Sequence, residues 1–156
     1  MSDPAGPGRP EDRDERTEPG DDAGRQASDE PQAAEDREAA YELLQRGHRL
    51  LRDRHNAQAV VVLERAARIE PGKASILEAL ARALYNSRQY DRAAETFALL
   101  LEVDPSAAYG YLGLGLSLER LGRLSEARTQ LRLAAAMNPA SSTYRQALQR
   151  VESKVG

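Results

Sequence analysis

The chain contains no cysteine and no tryptophan, and its aromatic residues are limited to six tyrosines and one phenylalanine. The absence of cysteine excludes disulfide bonds and thiolate metal sites. A hydrophobic core must therefore be built from Leu, Ala, Val and Ile. No apolar run approaches the ~18–20 residues of a membrane-spanning helix, and the polar N-terminus lacks the apolar segment of a signal peptide. A cytoplasmic protein without membrane insertion is expected.

Charge is distributed unevenly along the 156 residues. Residues 1–35 carry 11 acidic and 4 basic side chains, a net charge of −7, whereas residues 36–156 carry 14 acidic and 18 basic ones, a net charge of +4. The first stretch is rich in Pro and Gly and has no aliphatic side chain larger than Ala after Met1. It cannot offset a backbone ordering cost of about 1–2 kcal/mol per residue. Residues 1–35 are therefore predicted to be a disordered acidic tail, which acts either as a solubility tail or as a lid over the body.

The body is organised by a repeat of about 34 residues, marked by Pro71, Pro105 and Pro139. The same interval relates apolar and small residues in three successive segments. The first holds Leu43, Arg46, Gly47, Leu50, Ala59 and Leu63; the second Leu77, Leu80, Ala81, Leu84, Ala93 and Phe97; the third Tyr111, Leu114, Gly115, Leu118, Ala127 and Leu131. A fixed period of this length indicates stacked supersecondary units rather than one irregular globule.

Within each segment the apolar residues recur at spacings typical of amphipathic helices. The pattern predicts a first helix that begins near Gln32, and a last helix after Pro139 that has one apolar face. Between them it predicts helices at about 57–70, 74–87, 91–104, 108–121 and 125–138. Asp91 and Ser125 are the predicted N-caps of two of these helices. Small residues such as Gly47, Ala81 and Gly115 are predicted where two helices cross closely.

On these residues the chain resembles the tetratricopeptide repeat family, whose period is also about 34 residues. Of 24 framework positions, the chain matches 22 and departs at Arg46 and Leu100. The resemblance implies an all-α fold, a right-handed solenoid of helix-turn-helix units. Three units would occupy residues 40–73, 74–107 and 108–141 within a body of residues 36–141, and residues 142–156 would form a capping helix.

The resemblance also implies a non-enzymatic scaffold, in which the first helix of each unit lines a concave groove that binds a peptide or helix of another protein. Carried over position by position, the groove residues are Tyr41, Leu44, His48 and Arg52 in the first unit, Glu78, Arg82, Tyr85 and Asn86 in the second, and Tyr109, Leu112, Leu116, Glu119 and Arg120 in the third. Tyr and Arg are enriched in binding hot spots, and Arg binds carboxylates well. For Leu44, Leu112 and Leu116 a role in the core stays open, as does packing between units for Tyr85.

Chaperone-binding members of the family hold a C-terminal carboxylate with Lys and Asn side chains of the groove. The matching positions of this chain are Leu44, His48, Ala79, Tyr109 and Gly113. None of them is Lys or Asn, so this mode of binding is not expected.

A catalytic role, a cofactor and a metal ion are not expected either. His48 and His55 are the only histidines, and His55 falls in a predicted turn with no third metal ligand patterned nearby. Residues 113–122 contain a Gly-x-Gly sequence, but it lies in a helical pattern and not after a strand, as a dinucleotide loop would.

Two alternatives to a peptide-binding scaffold remain. One is nucleic-acid binding through clustered arginines (Arg46, Arg49, Arg52 and Arg54), which is disfavoured because acidic residues are interleaved with them. The other is self-association as a homo-oligomeric adaptor, through the groove or through the apolar side of the first unit.

Overall fold

The computed structural model describes the backbone of residues 19–156 and the side chains of residues 29–156. This part of the chain forms seven helices and no strand: α1 (Pro19–Arg52), α2 (Asn56–Ile69), α3 (Ala74–Asn86), α4 (Tyr90–Val103), α5 (Ala108–Arg120), α6 (Leu124–Met137) and α7 (Ser142–Val155). The ends of α2–α6 lie within one residue of the predicted ones. No helix in the described part is long and apolar enough to cross a membrane.

Helix α1 begins earlier than the sequence pattern indicates. The predicted start near Gln32 is wrong, because the helix begins at Pro19 and continues through Pro31. Pro19 lies in the first turn of the helix, where proline is well tolerated, and Ala, the best helix former, occurs four times in residues 19–35. The side chains of residues 29–35 are exposed, as expected for a stretch without large apolar residues. Residues 1–18 lie outside the described part, and for them the predicted disorder stays a prediction.

The chain divides into two units, residues 1–35 and residues 36–156. In the second unit α2 to α7 pack against one another in chain order. In addition α3 contacts α5 and α5 contacts α7, whereas among the described helices α2, α4 and α6 do not contact one another. The odd-numbered helices thus converge and the even-numbered ones diverge. This unit is therefore an α-solenoid that curves towards its odd-numbered helices, which line the concave face.

A bulky residue at one position of each repeat forms the centre of the core. Leu63, Phe97 and Leu131 are each one repeat period apart, and each is at most 1% exposed. Glycines of the preceding helix lie directly against two of them. A Cβ atom built on Gly47 would lie 2.4 Å from Leu63 Cδ2, and one built on Gly115 would lie 2.6 Å from Leu131 Cγ. The two helices of a hairpin cross this closely because a small residue faces a large one.

Phe97 also joins the second repeat to the third. A Cβ atom on Gly113 of α5 would lie only 2.2 Å from the Phe97 ring. The Tyr109 ring packs edge-on against Phe97, with 5.9 Å between centroids. The missing side chain of Gly113 therefore sets the distance between neighbouring hairpins.

The hairpin turns are closed by the backbone and not by side-chain caps. Arg54, Arg88 and Gly122, which occupy the same position in successive repeats, have positive φ angles of 63°, 65° and 80°. After each of them a backbone N–H bonds back across the turn, at 2.8 Å from His55 to Leu50 O and at 2.9 Å from Gln89 to Leu84 O. This is the pattern of a Schellman motif.

The predicted N-caps are wrong as a result of this geometry. The N-cap residues of α4 and α6 are Gln89 and Arg123, and neither makes a side-chain cap bond. Asp91 and Ser125 lie inside the first turns instead. A hydroxyl cap does occur at Ser141, whose Oγ accepts a 3.3 Å hydrogen bond from the backbone N–H of Tyr144 at the start of α7.

We expect Gly113→Ala to destabilise the protein by about 1–3 kcal/mol, because the new methyl group would overlap the buried Phe97 ring. This loss should exceed the gain of about 1 kcal/mol that Ala brings to a helix interior. The measurement is urea-induced unfolding of the full-length chain, followed by circular dichroism.

Gly110→Ala is the matched control, since it makes the same change in the same helix. Its Cβ atom would meet the flexible end of Leu101 at 2.8 Å, and Leu101 is only partly buried and can move. Equal costs for the two variants would contradict the role assigned to Gly113.

Candidate binding groove

The concave face carries a cavity between α1 and α3. Its volume is about 250 Å³, and it is lined by His48 and Arg52 of α1 and by Ser75, Glu78, Ala79 and Arg82 of α3. Four of the predicted groove residues are therefore neighbours around one opening. Ser75 is absent from the predicted set, although it is the repeat equivalent of Tyr41 and Tyr109, one period away from each.

Positive charge predominates in the lining of this cavity, with two arginines and one glutamate. Burial lowers the pKa of His48 below its ordinary value of 6.5, and the positive charges of Arg82 and Arg52 lower it further, against the opposing effect of Glu78. His48 is therefore neutral near pH 7 and is available as a hydrogen-bond partner. The two guanidinium groups supply the charge that an acidic ligand would meet.

Two tyrosines extend this surface towards the C-terminal end. Burial raises the pKa of Tyr109 on α5, and the charge of Glu78 raises it as well, while Arg82 acts in the opposite direction. Burial also raises the pKa of Tyr144 on α7, again with a contribution from Glu78. The charge of Glu78 thus contributes to the pKa of groups on α1, α5 and α7. The sequence pattern marks Tyr144 only as an apolar position of the last helix.

We call His48, Arg52, Ser75, Glu78, Arg82, Tyr109 and Tyr144 the groove set. Tyr41 occupies the repeat position equivalent to Ser75 on α1, and its side chain is 62% exposed. It is therefore accessible to a ligand that runs along the same face.

The leucines of the predicted groove lie in the core. Leu44 and Leu112 are each only 6% exposed, so they have the core role that the sequence leaves open for them. Leu116 is half-buried and packs against the cluster formed by α5, α6 and α7. Leu44 and Leu112 are therefore not accessible anchors for a peptide.

Tyr85, Asn86 and Arg120 form contacts at the ends of their helices. The rings of Tyr85 and Tyr90 pack edge to face, with 5.2 Å between centroids. The Arg120 guanidinium lies 6.0 Å from the Tyr85 centroid and 5.5 Å from that of Tyr90, within the range of a cation–π interaction. Asn86 Nδ2 donates a 3.4 Å hydrogen bond to Asn56 Oδ1. These residues join neighbouring hairpins.

Glu119 binds the last helix. Its carboxylate accepts hydrogen bonds of 2.7 and 2.8 Å from Arg150 and one of 2.9 Å from Lys154 Nζ. Only 6% of the Glu119 side chain is exposed. Hydrogen bonding from Arg150 lowers the pKa of Glu119 to about 2, with Lys154 contributing and burial opposing. This predicted groove residue thus ties α7 to α5.

The family of this chain is shown by a match that covers its repeat units. The family model named Tetratricopeptide repeat matches residues 44–98 and again residues 78–142. The chain belongs to the tetratricopeptide repeat family. No curated protein matches it in sequence. Among the described residues, no group of three His, Asp or Glu side chains is arranged to hold a metal ion.

Solved structures of tetratricopeptide repeat domains share the fold at low sequence identity. The Arabidopsis OM64 domain superposes with a TM-score of 0.73 at 21% identity, covering 76% of this chain and 98% of that one. The first such domain of Spaghetti (RPAP3), bound to the HSP90 peptide SRMEEVD, gives 0.72 at 15% identity, covering 76% and 94%. The Yersinia enterocolitica secretion chaperone SycD, in complex with a peptide of the translocator YopD, gives 0.68 at 16% identity, covering 74% and 94%.

We expect Glu119→Gln to lower the free energy of unfolding by about 1–2 kcal/mol near neutral pH. The folded-state pKa of about 2 lies below the ordinary value of 4.5. The contribution of Glu119 is therefore fully present above pH 4.5 and is lost as the pH falls towards 2. Denaturant titrations at several pH values should show the difference between wild type and variant shrinking over this interval.

Glu126→Gln is the control, because it is the same substitution in another ion pair. Glu126 bonds Arg123 at 2.7 Å, but both side chains are more than half exposed, so solvent screens the pair and the effect should be small. A pH-independent cost at Glu119 would show that shape, and not charge, holds α7.

Proposed function

We propose that residues 36–156 form a non-catalytic scaffold that binds an acidic segment of another protein in the groove. The observation that carries this proposal is the cavity between α1 and α3, where Arg52 and Arg82 face one opening beside His48. Arginine binds carboxylates through paired, charge-assisted hydrogen bonds, which suits an Asp or Glu side chain of a ligand.

The other residues of the groove set would surround the acidic side chain of the bound ligand. Tyr109 and Tyr144 are half-buried towards the C-terminal end, and Tyr is a residue type enriched in binding hot spots. Glu78 lies among the cationic groups and disfavours a run of acidic residues. We therefore infer a ligand in which an acidic side chain is followed by an apolar residue or a hydrogen-bond donor.

The similar structures support the peptide class of ligand. Tetratricopeptide repeat domains of the same fold bind an HSP90 peptide, an HSP70 peptide and a YopD peptide. The present chain lacks the Lys and Asn residues that chaperone-binding members use for a terminal carboxylate, and Leu44 at one of these positions is buried. An internal acidic segment fits the groove better than a chain end.

The test is selection from a displayed library of random peptides, followed by affinity measurements on the enriched sequences. We expect enrichment of peptides with a conserved acidic position. The double variant Arg52→Glu, Arg82→Glu should bind them about tenfold more weakly or worse, because a hydrogen bond to a charged group contributes about 1.5–3 kcal/mol and the variant replaces two attractive charges by two repulsive ones.

The control is Arg65→Glu, Arg68→Glu, which makes the same charge change on two exposed arginines of α2. This variant should bind the selected peptides as well as wild type does. Equal losses in the two variants would show a non-specific effect of net charge. Enriched peptides without an acidic position would reject the role given to Arg52 and Arg82.

A further inference from the structure

The charge of the cavity between α1 and α3 can change through one side chain. Histidine is the only residue type whose ordinary pKa lets it gain or lose a proton between about pH 5 and 8. His48 is the only histidine among the residues that line this cavity. The proposed function uses its imidazole in the neutral form, and the groups around it indicate a use for the charged form as well.

Two guanidinium groups lie next to His48 in this cavity. Arg52 follows His48 by four residues on α1, so the two side chains share one face of the helix. Arg82 occupies the position on α3 that is equivalent to His48, one repeat period later. Both arginines are exposed, and neither forms an ion pair with an acidic side chain of the described residues. Within the lining of the cavity, Glu78 is the one opposing charge.

These positive charges keep His48 neutral in the free protein. Burial of the imidazole lowers its pKa below 6.5, Arg82 and Arg52 lower it further, and Glu78 opposes them. All residues of the lining belong to α1 and α3, so these are the charged groups that face the imidazole in the cavity. A carboxylate bound between the two guanidinium groups would offset the charges that oppose protonation.

We propose that ligand binding in this cavity is coupled to protonation of His48. When an acidic side chain of the ligand binds between Arg52 and Arg82, the imidazole takes up a proton from solvent and donates a further charged hydrogen bond to the bound carboxylate. The coupling rests on the proposed function, because it concerns the same site and the same class of ligand.

The coupling makes binding depend on pH in a defined direction. A bound carboxylate raises the pKa of His48 relative to the free protein. The added binding free energy is therefore fully present below the pKa of the free protein, and it is lost as the pH rises through the pKa of the complex. The pKa of the free protein lies below 6.5, and Asp and Glu side chains of a ligand stay ionised down to about pH 5. Binding should therefore strengthen as the pH falls from about 7.5 to about 5.5.

The first test is an NMR pH titration of the histidine rings in the full-length chain. His48 and His55 are its only histidines, and His48→Gln assigns the two sets of signals. The probe is the peptide acetyl-Gly-Glu-Gly-amide, and acetyl-Gly-Gln-Gly-amide is its neutral control. The acidic peptide should raise the titration midpoint of His48 and leave that of His55 unchanged, whereas the neutral peptide should move neither.

Removal of the two positive charges tests the cause of the coupling. In the free protein, Arg52→Gln with Arg82→Gln should raise the titration midpoint of His48. The same double variant should abolish the further rise that the acidic peptide produces, because the carboxylate then has no guanidinium groups to bind.

The second test compares the affinity of peptides selected by display at about pH 5.5 and about pH 7.5. Wild type should bind them about threefold to tenfold more tightly at the lower pH. His48→Gln should lose this dependence on pH, whatever its affinity at the higher pH. His55→Gln is the matched control, since it makes the same change at an exposed residue of the hairpin turn, and it should retain the dependence.

Three results would overturn the coupling. The first is a His48 midpoint that the acidic peptide does not move. The second is a selected peptide whose affinity depends on Arg52 and Arg82 but is equal at the two pH values, in which case the proposed function stands. The third is a pH dependence that persists in His48→Gln. If no selected peptide depends on the two arginines while the short acidic peptide still raises the His48 midpoint, the proposed function fails and the coupling holds for a bound carboxylate.

Discussion

The packing of one bulky side chain between small residues underlies the whole helical unit. Leu63, Phe97 and Leu131 are each buried at the centre of a hairpin, and glycines on the facing helices allow the close approach. Phe97 shows both contacts that such a residue makes. It belongs to one core cluster with Ala81 and Leu84 of its own hairpin, and it also lies against Gly113 of the next one. The contact within a hairpin sets how two helices cross, and the contact between hairpins sets the step of the solenoid.

The groove is a consequence of how each hairpin is placed relative to the one before it. Because successive odd-numbered helices converge, residues that lie far apart in sequence line one cavity, such as His48 of α1 and Glu78 of α3. His48, Tyr109 and Tyr144 all experience the charge of this carboxylate. A cluster of this kind requires no special loop. It arises because polar residues occupy the same side of several helices that a repeated apolar contact holds side by side.

The fold could be predicted because the period of the sequence repeats both the apolar and the small positions. A helix pair assigned in one repeat therefore predicts a helix pair at the equivalent positions of the next repeat. The start of α1 could not be predicted in the same way, because the residues before Gln32 have no apolar period to mark a helix. The expected caps at Asp91 and Ser125 failed for another reason. The backbone closes the turns through a residue with positive φ, and two of these three residues are arginines and not glycines.

The groove could be predicted only as a set of helix faces. Periodicity identifies the side of a helix, but a small rotation decides whether Leu44 and Leu112 reach solvent or the core, and here they reach the core. The partner of Glu119 could not be inferred, because Arg150 and Lys154 come from a helix outside the three repeats. Arg52 and Arg82 were predicted to lie in the groove, and they line the concave cavity. A small rotation of the helix does not bury them, because long charged side chains keep their ends in solvent.

The curvature of the array links its two surfaces mechanically. In a bent stack of rigid rods, spreading the inner rods straightens the stack and brings the outer rods closer together. A ligand bound between the odd-numbered helices would therefore reduce the distances between the even-numbered helices. The distance between α4 and α6 would then depend on how far the odd-numbered helices are separated. This dependence requires no chain of side-chain movements through the core.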